Sequence, residues 1–121
     1  MTAKEIFEAV LALMFCSVSE GREYEEAFFT ILNMRLRETF MLNNALREYR
    51  EKPPIESVKI IKRMDDTLDC EPELILALPY GIAGILLVDE DTTGMANVYR
   101  NDYIGLISDM SRGCEVSAQE V

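Results

Sequence analysis

The chain has 121 residues, 49% of them apolar and 28% charged, a length that fits one domain and a composition that argues against wholesale disorder. Its formal charge of −10 argues against nucleic-acid binding by the chain as a whole, and its lack of histidine removes the commonest general base. Cys16, Cys70 and Cys114 are odd in number and irregularly spaced, so they point to a reducing, intracellular compartment rather than a disulfide framework.

Met1-Thr2-Ala3-Lys4-Glu5 lacks the features of a secretory signal and runs straight into an amphipathic pattern. Thr2-x-x-Glu5 is a capping box: the threonine oxygen accepts from a free amide and the glutamate reaches back. Ala3, Ile6, Phe7, Val10, Leu13 and Met14 follow at helical spacing, which predicts a first helix over 3–16. Gly21 marks the break after it.

The second helix is predicted to be long. From Tyr24, the residues Ala27, Phe28, Ile31, Leu32, Leu42, Leu46 and Tyr49 hold a spacing of three or four, and nothing stops the helix before Pro53-Pro54. Such a rod would measure about 42 Å. Residues 53–68, with Ile55, Val58, Ile60 and Ile61 among lysines, read as an extended crossover with room for a short strand or hairpin.

A third helix is expected to start between Asp69 and Pro72, where proline and acids suit the first turn. The apolar run from Leu74 to Val88 is 15 residues long, contains Pro79 and falls short of the roughly 20 that a membrane span needs. An all-round apolar helix must be covered by other helices or other subunits. Pro79 should kink it, and Gly81, Ala83 and Gly84 would let a neighbouring backbone come close. The packing positions expected here are Leu78, Pro79, Tyr80, Gly81, Ala83, Gly84 and Leu87.

Asp91 or Thr92 should cap a fourth helix carrying Met95, Val98, Tyr99, Tyr103, Leu106, Ile107 and Met110 as a stripe and ending at Gly113. The expectation is therefore an all-α, compact bundle of about four helices over 1–113, with a short flexible tail at 114–121.

The charge is uneven. Residues 1–34 carry two bases and six acids, 35–63 eight bases and four acids, and 64–121 two bases and twelve acids. This is either a solvated surface that aids solubility or complementarity between copies, the basic middle of one meeting the acidic end of the next. Arg35, Arg37, Arg47, Arg50, Tyr99, Arg100 and Tyr103 are the candidate subunit contacts. The tyrosines and seven methionines fit either core edges or contact surfaces.

Little in the chain suggests catalysis. Asp89-x-Asp91-x-Thr93-Gly94 matches the first half of a calcium loop, but the twelfth position, where a glutamate belongs, is Arg100. Asp65, Asp66, Asp69, Glu71 and Glu73 could chelate a metal, although acids also gather at helix starts for the dipole. Cys70, near such a start, could have a depressed pKa; Cys16, at a helix end, should not. No nucleophile elbow or phosphate-cradling glycine loop occurs, and no catalytic, cofactor or metal residues are assigned.

Leu78-Pro79-Tyr80-Gly81-Ile82-Ala83-Gly84-Ile85-Leu86-Leu87, then Asp89-Glu90-Asp91, then Met95-Ala96-Asn97-Val98-Tyr99-Arg100-Asn101-Asp102-Tyr103, resembles the second half of small head–tail connector (adaptor) proteins of tailed bacteriophages and prophages. The opening Thr2-Ala3-Lys4-Glu5-Ile6-Phe7 and Leu42-Asn43-Asn44-Ala45-Leu46-Arg47 are similar to that family too, whereas 53–68 and the tail carry no matching motif. The resemblance implies an all-helical subunit, without cofactor or catalytic residues, that forms a homo-oligomeric ring between portal and tail through which DNA passes. It implies assembly in the bacterial host cytoplasm, a place at the virion head–tail junction, contacts with portal and tail-side proteins, and no membrane. The rival expectations are a small acidic regulatory protein that occludes a partner and another minor tail-completion protein.

Overall fold

The computed structural model describes residues 1–88 and 94–120, and its regular elements are all helices, with no strand among the described residues. The helices are α1 (Ala3–Leu13), α2 (Glu25–Glu38), α3 (Phe40–Tyr49), α4 (Pro72–Leu86) and α5 (Met95–Glu120), with a 3-10 turn at Glu20–Tyr24 before α2. The acidic turn with its calcium-like spacing, and the expected cap at Asp91 or Thr92, lie outside the described residues but for Gly94.

The capping box forms as expected: Thr2 Oγ1 accepts from Glu5 N and Thr2 N donates to Glu5 Oε1, both at 3.3 Å. The next free donors of the first turn are met by the crossover. Ala3 N donates to Asp66 O at 2.9 Å and Lys4 N to Met64 O at 2.8 Å, beside an isolated antiparallel bridge between Thr2 and Thr67. At its other end α1 stops three residues before the expected limit. Phe15 turns into the left-handed region (φ 58°), and Cys16 N reaches back to Leu11 O at 2.9 Å.

The single long rod is divided in two. Thr39, buried where the expected second helix is midway, has φ −97° and ψ 5° and its Oγ1 donates to Arg35 O at 2.8 Å. A β-branched residue whose hydroxyl competes for the carbonyl four residues back distorts a helix at that point. α3 then ends at Tyr49, ahead of the prolines, because Glu51 adopts φ 59° and Lys52 N closes onto Arg47 O at 2.8 Å.

The crossover is extended but contains no strand, because its polar backbone is paired with asparagine side chains rather than with another strand. Asn44 brackets Ile55, accepting from its N–H at 2.8 Å and donating to its carbonyl at 3.0 Å. Asn33 brackets Ile61 in the same way, both bonds at 2.8 Å. Asn43 accepts from Glu71 N and donates to Asp69 O, both at 2.9 Å. A carboxamide offers one donor and one acceptor side by side, as a neighbouring strand would. These bonds set the register that buries Ile61 and leaves Ile60 exposed.

α4 is the centre of the fold and packs against α1, α2 and α5. Leu74, Ala77, Leu78, Pro79, Gly81, Ile82, Ala83 and Gly84 are buried, while Tyr80 and Leu87 are partly so. The core joins Ile6, Phe7, Val10 and Leu11 of α1 with Phe28 and Leu32 of α2 and Leu78 and Ile82 of α4, and the Phe7 and Phe28 rings lie 4.8 Å apart. Gly81 and Gly84 are where α5 comes closest. A Cβ on Gly81 would stand 2.7 Å from the Tyr103 ring, and one on Gly84 3.0 Å from the Arg100 backbone nitrogen.

Within the protomer α4 is covered on most sides but not all, since Leu76 is 71% exposed. One expectation about the later helices is corrected. α5 passes through Gly113 and continues to Glu120, because that glycine does not take the positive φ that terminates a helix.

Candidate assembly surface

The described residues contain no group of His, Cys, Asp or Glu side chains arranged to hold a metal ion. The acids between 65 and 73 are separated by their pairings. Asp66 Oδ2 accepts from Lys62 N at 3.0 Å and Arg63 N at 3.1 Å, and those two amides hold its carboxyl below the ordinary range. Asp65 pairs with Arg63 at 3.1 Å. Glu71 is buried beneath Lys52 at 3.0 Å and Arg50 at 3.6 Å. Arg50 also binds Glu73, and this bond holds the Glu73 carboxyl below the ordinary range.

Cys70 contradicts the depressed pKa considered from its position. Burial, reinforced by Asp69 and Glu71, pushes its thiol up to about 11, so it is protonated and unreactive at neutral pH. It borders a cavity of about 40 Å³ under the crossover, shared with Thr39, Asn43 and Ile61. Ligand pockets run to about 300–1,000 Å³, so this space holds water at most. No described helix is long and apolar enough to cross a membrane.

The candidate subunit contacts divide into two sets. Tyr99, Tyr103 and Arg35 belong to the protomer's own interior and are corrected as surface contacts. Tyr99 is buried and donates to Leu13 O at 2.7 Å, and burial raises its pKa. Tyr103 is buried against Gly81 and donates to Glu38 Oε1 at 2.8 Å, and burial first and Glu38 second raise its pKa strongly. Arg35 lies 4.4 Å over the Tyr103 ring, donates to Gly81 O at 3.1 Å and pairs with Glu38 at 3.2 Å. This cluster ties α2 to the close α4–α5 contact. Periodicity placed Tyr99 and Tyr103 on one stripe, and these two turned inward, while Val98 and Leu106 of the same stripe are exposed.

Arg47 and Arg50 are also engaged within the chain, Arg47 donating to Pro53 O at 2.8 Å and Arg50 binding the two glutamates. Arg37 and Arg100 are exposed, and their side chains make no hydrogen bond or ion pair with another described residue.

The surface has apolar features that spacing alone did not single out. Leu76 and Tyr80, one turn apart on α4, and Gly105 and Leu106 on α5 line an open groove of about 560 Å³. Asn101, Asp102 and Asp109 complete its lining. On α2 and α3, Met34 and Met41 are exposed, Met41 to 83%, and Met34 lines a second open hollow of about 560 Å³ with Arg37 and Glu38. The sequence signal for the groove was the apolar Leu76 in a helix whose other flank was already filled. No family model, curated protein or solved structure matches this chain.

Proposed function

We propose that this protein is a structural subunit of a tailed phage or prophage, a head–tail connector that assembles with copies of itself into a ring between portal and tail. The observation that carries the reading is an open, largely apolar groove on the α4–α5 pair. The segments that resemble connector proteins, Leu78–Leu87 and Met95–Tyr103, are the same helices that meet at Gly81 and Gly84. In this reading those motifs build the rigid frame that carries the assembly surface.

The charge agrees with a passage for DNA. A net charge of −10 offers few phosphate contacts, and DNA can slide along an acidic wall without being held. Portal and tail-side proteins are the proposed neighbours, and the work requires neither cofactor nor catalysis.

Electron microscopy of the concentrated protein, alone and mixed with its portal, tests the proposal. Rings, or density docked on the portal vertex, are expected. Particles that stay single under both conditions would refute it. The second reading, an acidic protein that occludes a partner, is favoured by the twelve acids among residues 64–121 and predicts a stable monomer or dimer by light scattering.

A further inference from the structure

We infer that the groove between α4 and α5 receives Ile60 and Lys62 from the crossover of a second copy of this chain, an inference that rests on the ring reading above. Ile60 is 57% exposed, Ile61 only 1%, and Lys62 is exposed again. That alternation is the period of an extended segment, so Ile60 and Lys62 leave the core on one side while Ile61 enters it. Asn33 fixes this register through both backbone groups of Ile61. An apolar side chain and a cation are thus presented together, on backbone already ordered before a partner arrives.

The groove matches them in spacing and in charge. Within it stands Gly105, where an added Cβ would meet nothing within 4 Å, so the α5 backbone is bare to an incoming side chain. Glycine weakens a helix interior, and nothing inside the protomer takes up the space this one leaves. Leu76, Tyr80 and Leu106 supply apolar contact around it. Asp102 and Asp109 lie one turn before and one turn after Gly105 on the same face of α5. With Ile60 over Gly105, Lys62 stands about 6.6 Å along the extended chain and Asp102 about 4.5 Å along the helix. A lysine stem covers the difference.

The charges at both surfaces are partly used, and one of each sign is left open. Lys59 donates to Thr67 O and Arg63 pairs with Asp65, while Asp109 pairs with Arg112. The Lys62 ammonium and the Asp102 carboxylate make no hydrogen bond or ion pair with another described residue. At an interface such a pair sets register and partner choice, while Ile60 supplies apolar burial. Other exposed apolar side chains fit less well. Phe15 and Val18 stand just ahead of Glu20, which would meet the acids of the groove, and Met34 shares its hollow with Glu38 as well as Arg37.

Groove and crossover share no residue. Each copy offers one of each, so the contact runs head to tail, and such a contact closes into a ring when its rotation permits. Groove against groove would set carboxylate against carboxylate, and crossover against crossover would set ammonium against ammonium.

Charge reversal tests the contact in the full chain, read by sedimentation and light scattering. Lys62→Asp and Asp102→Lys should each raise the concentration needed for assembly at least tenfold. Ile60→Ser should do the same without a change of charge. All three side chains are exposed, so circular dichroism should match the wild type. An equimolar mixture of Lys62→Asp and Asp102→Lys is the decisive sample. Each crossover then finds its opposite charge only in the other variant's groove, and assembly should return with alternating subunits.

Wild-type protein that stays single, alone and with its portal, would overturn the ring reading and this contact together. Wild-type rings that tolerate Ile60→Ser or either reversal, or reversed variants that do not rescue each other, would overturn the contact alone.

Discussion

Alanine at Gly105 should stabilise the chain and alanine at Gly84 should not, although both glycines lie inside helices. Glycine costs a helix interior about 1 kcal/mol against alanine, so propensity alone makes both substitutions stabilising. At Gly105 nothing lies within 4 Å of the added methyl, and the full gain of about 1 kcal/mol should appear. At Gly84 the methyl would sit 3.0 Å from Arg100 N and 3.3 Å from Ala96 O, both backbone atoms of α5. No rotamer change relieves such a contact, so the helices must separate. Overpacking of this kind costs about 1–3 kcal/mol, which cancels or outweighs the propensity gain.

The two variants should therefore differ by about 1–3 kcal/mol, or roughly 4–12 °C in Tm for a chain of this size. Urea unfolding followed by circular dichroism, at concentrations below any self-association, measures the difference. Equal stabilisation by both substitutions would refute the claim that α4 and α5 touch through their backbones at Gly84, and the close-packed frame under the proposed assembly surface would fall with it.

Asn33→Ala should cost about 2–3 kcal/mol, because it removes both bonds to Ile61 and leaves the N–H and C=O of that buried residue unmet. Amide exchange at Ile61 should quicken more than exchange in α1, and unchanged protection there would exclude the bracketing role. For Cys70, folding holds the thiol neutral, with its pKa raised from 9.0 to about 11. The unfolded chain loses that proton first as pH rises, so the stabilisation is complete below about pH 9 and disappears by about pH 11. Cys70→Ser should flatten that part of the stability–pH curve, and an unchanged slope would show that the thiol does not contribute.

Much of the helical architecture was written locally. The Thr2-x-x-Glu5 box, Pro72 in the first turn of α4 and the spacing of Ile6, Phe7 and Val10 act within a few residues, and each did in the fold what it signals in sequence. Glycines at 81 and 84 likewise announced a close neighbour, since only a nearby backbone repays their cost. The break at Thr39 was harder to read, because one threonine inside a good helical pattern is ordinarily tolerated. Here its burial and its bond to Arg35 O decide the matter, and burial is a property of the packed chain.

The candidate surface depended still more on tertiary structure. Periodicity shows that Tyr99 and Tyr103 share a face with Met110, but not whether that face looks inward or outward. Nor does it show that Leu76 is the residue of an apolar helix left uncovered, or that asparagines at 33, 43 and 44 would hold the crossover in place of a strand. Sequence by itself determined where most of the helical segments lie, how several of them begin, and how charge is distributed along the chain. Which side of each helix faces a neighbour was decided only when the elements packed, because that depends on residues far apart in the chain competing for the same volume.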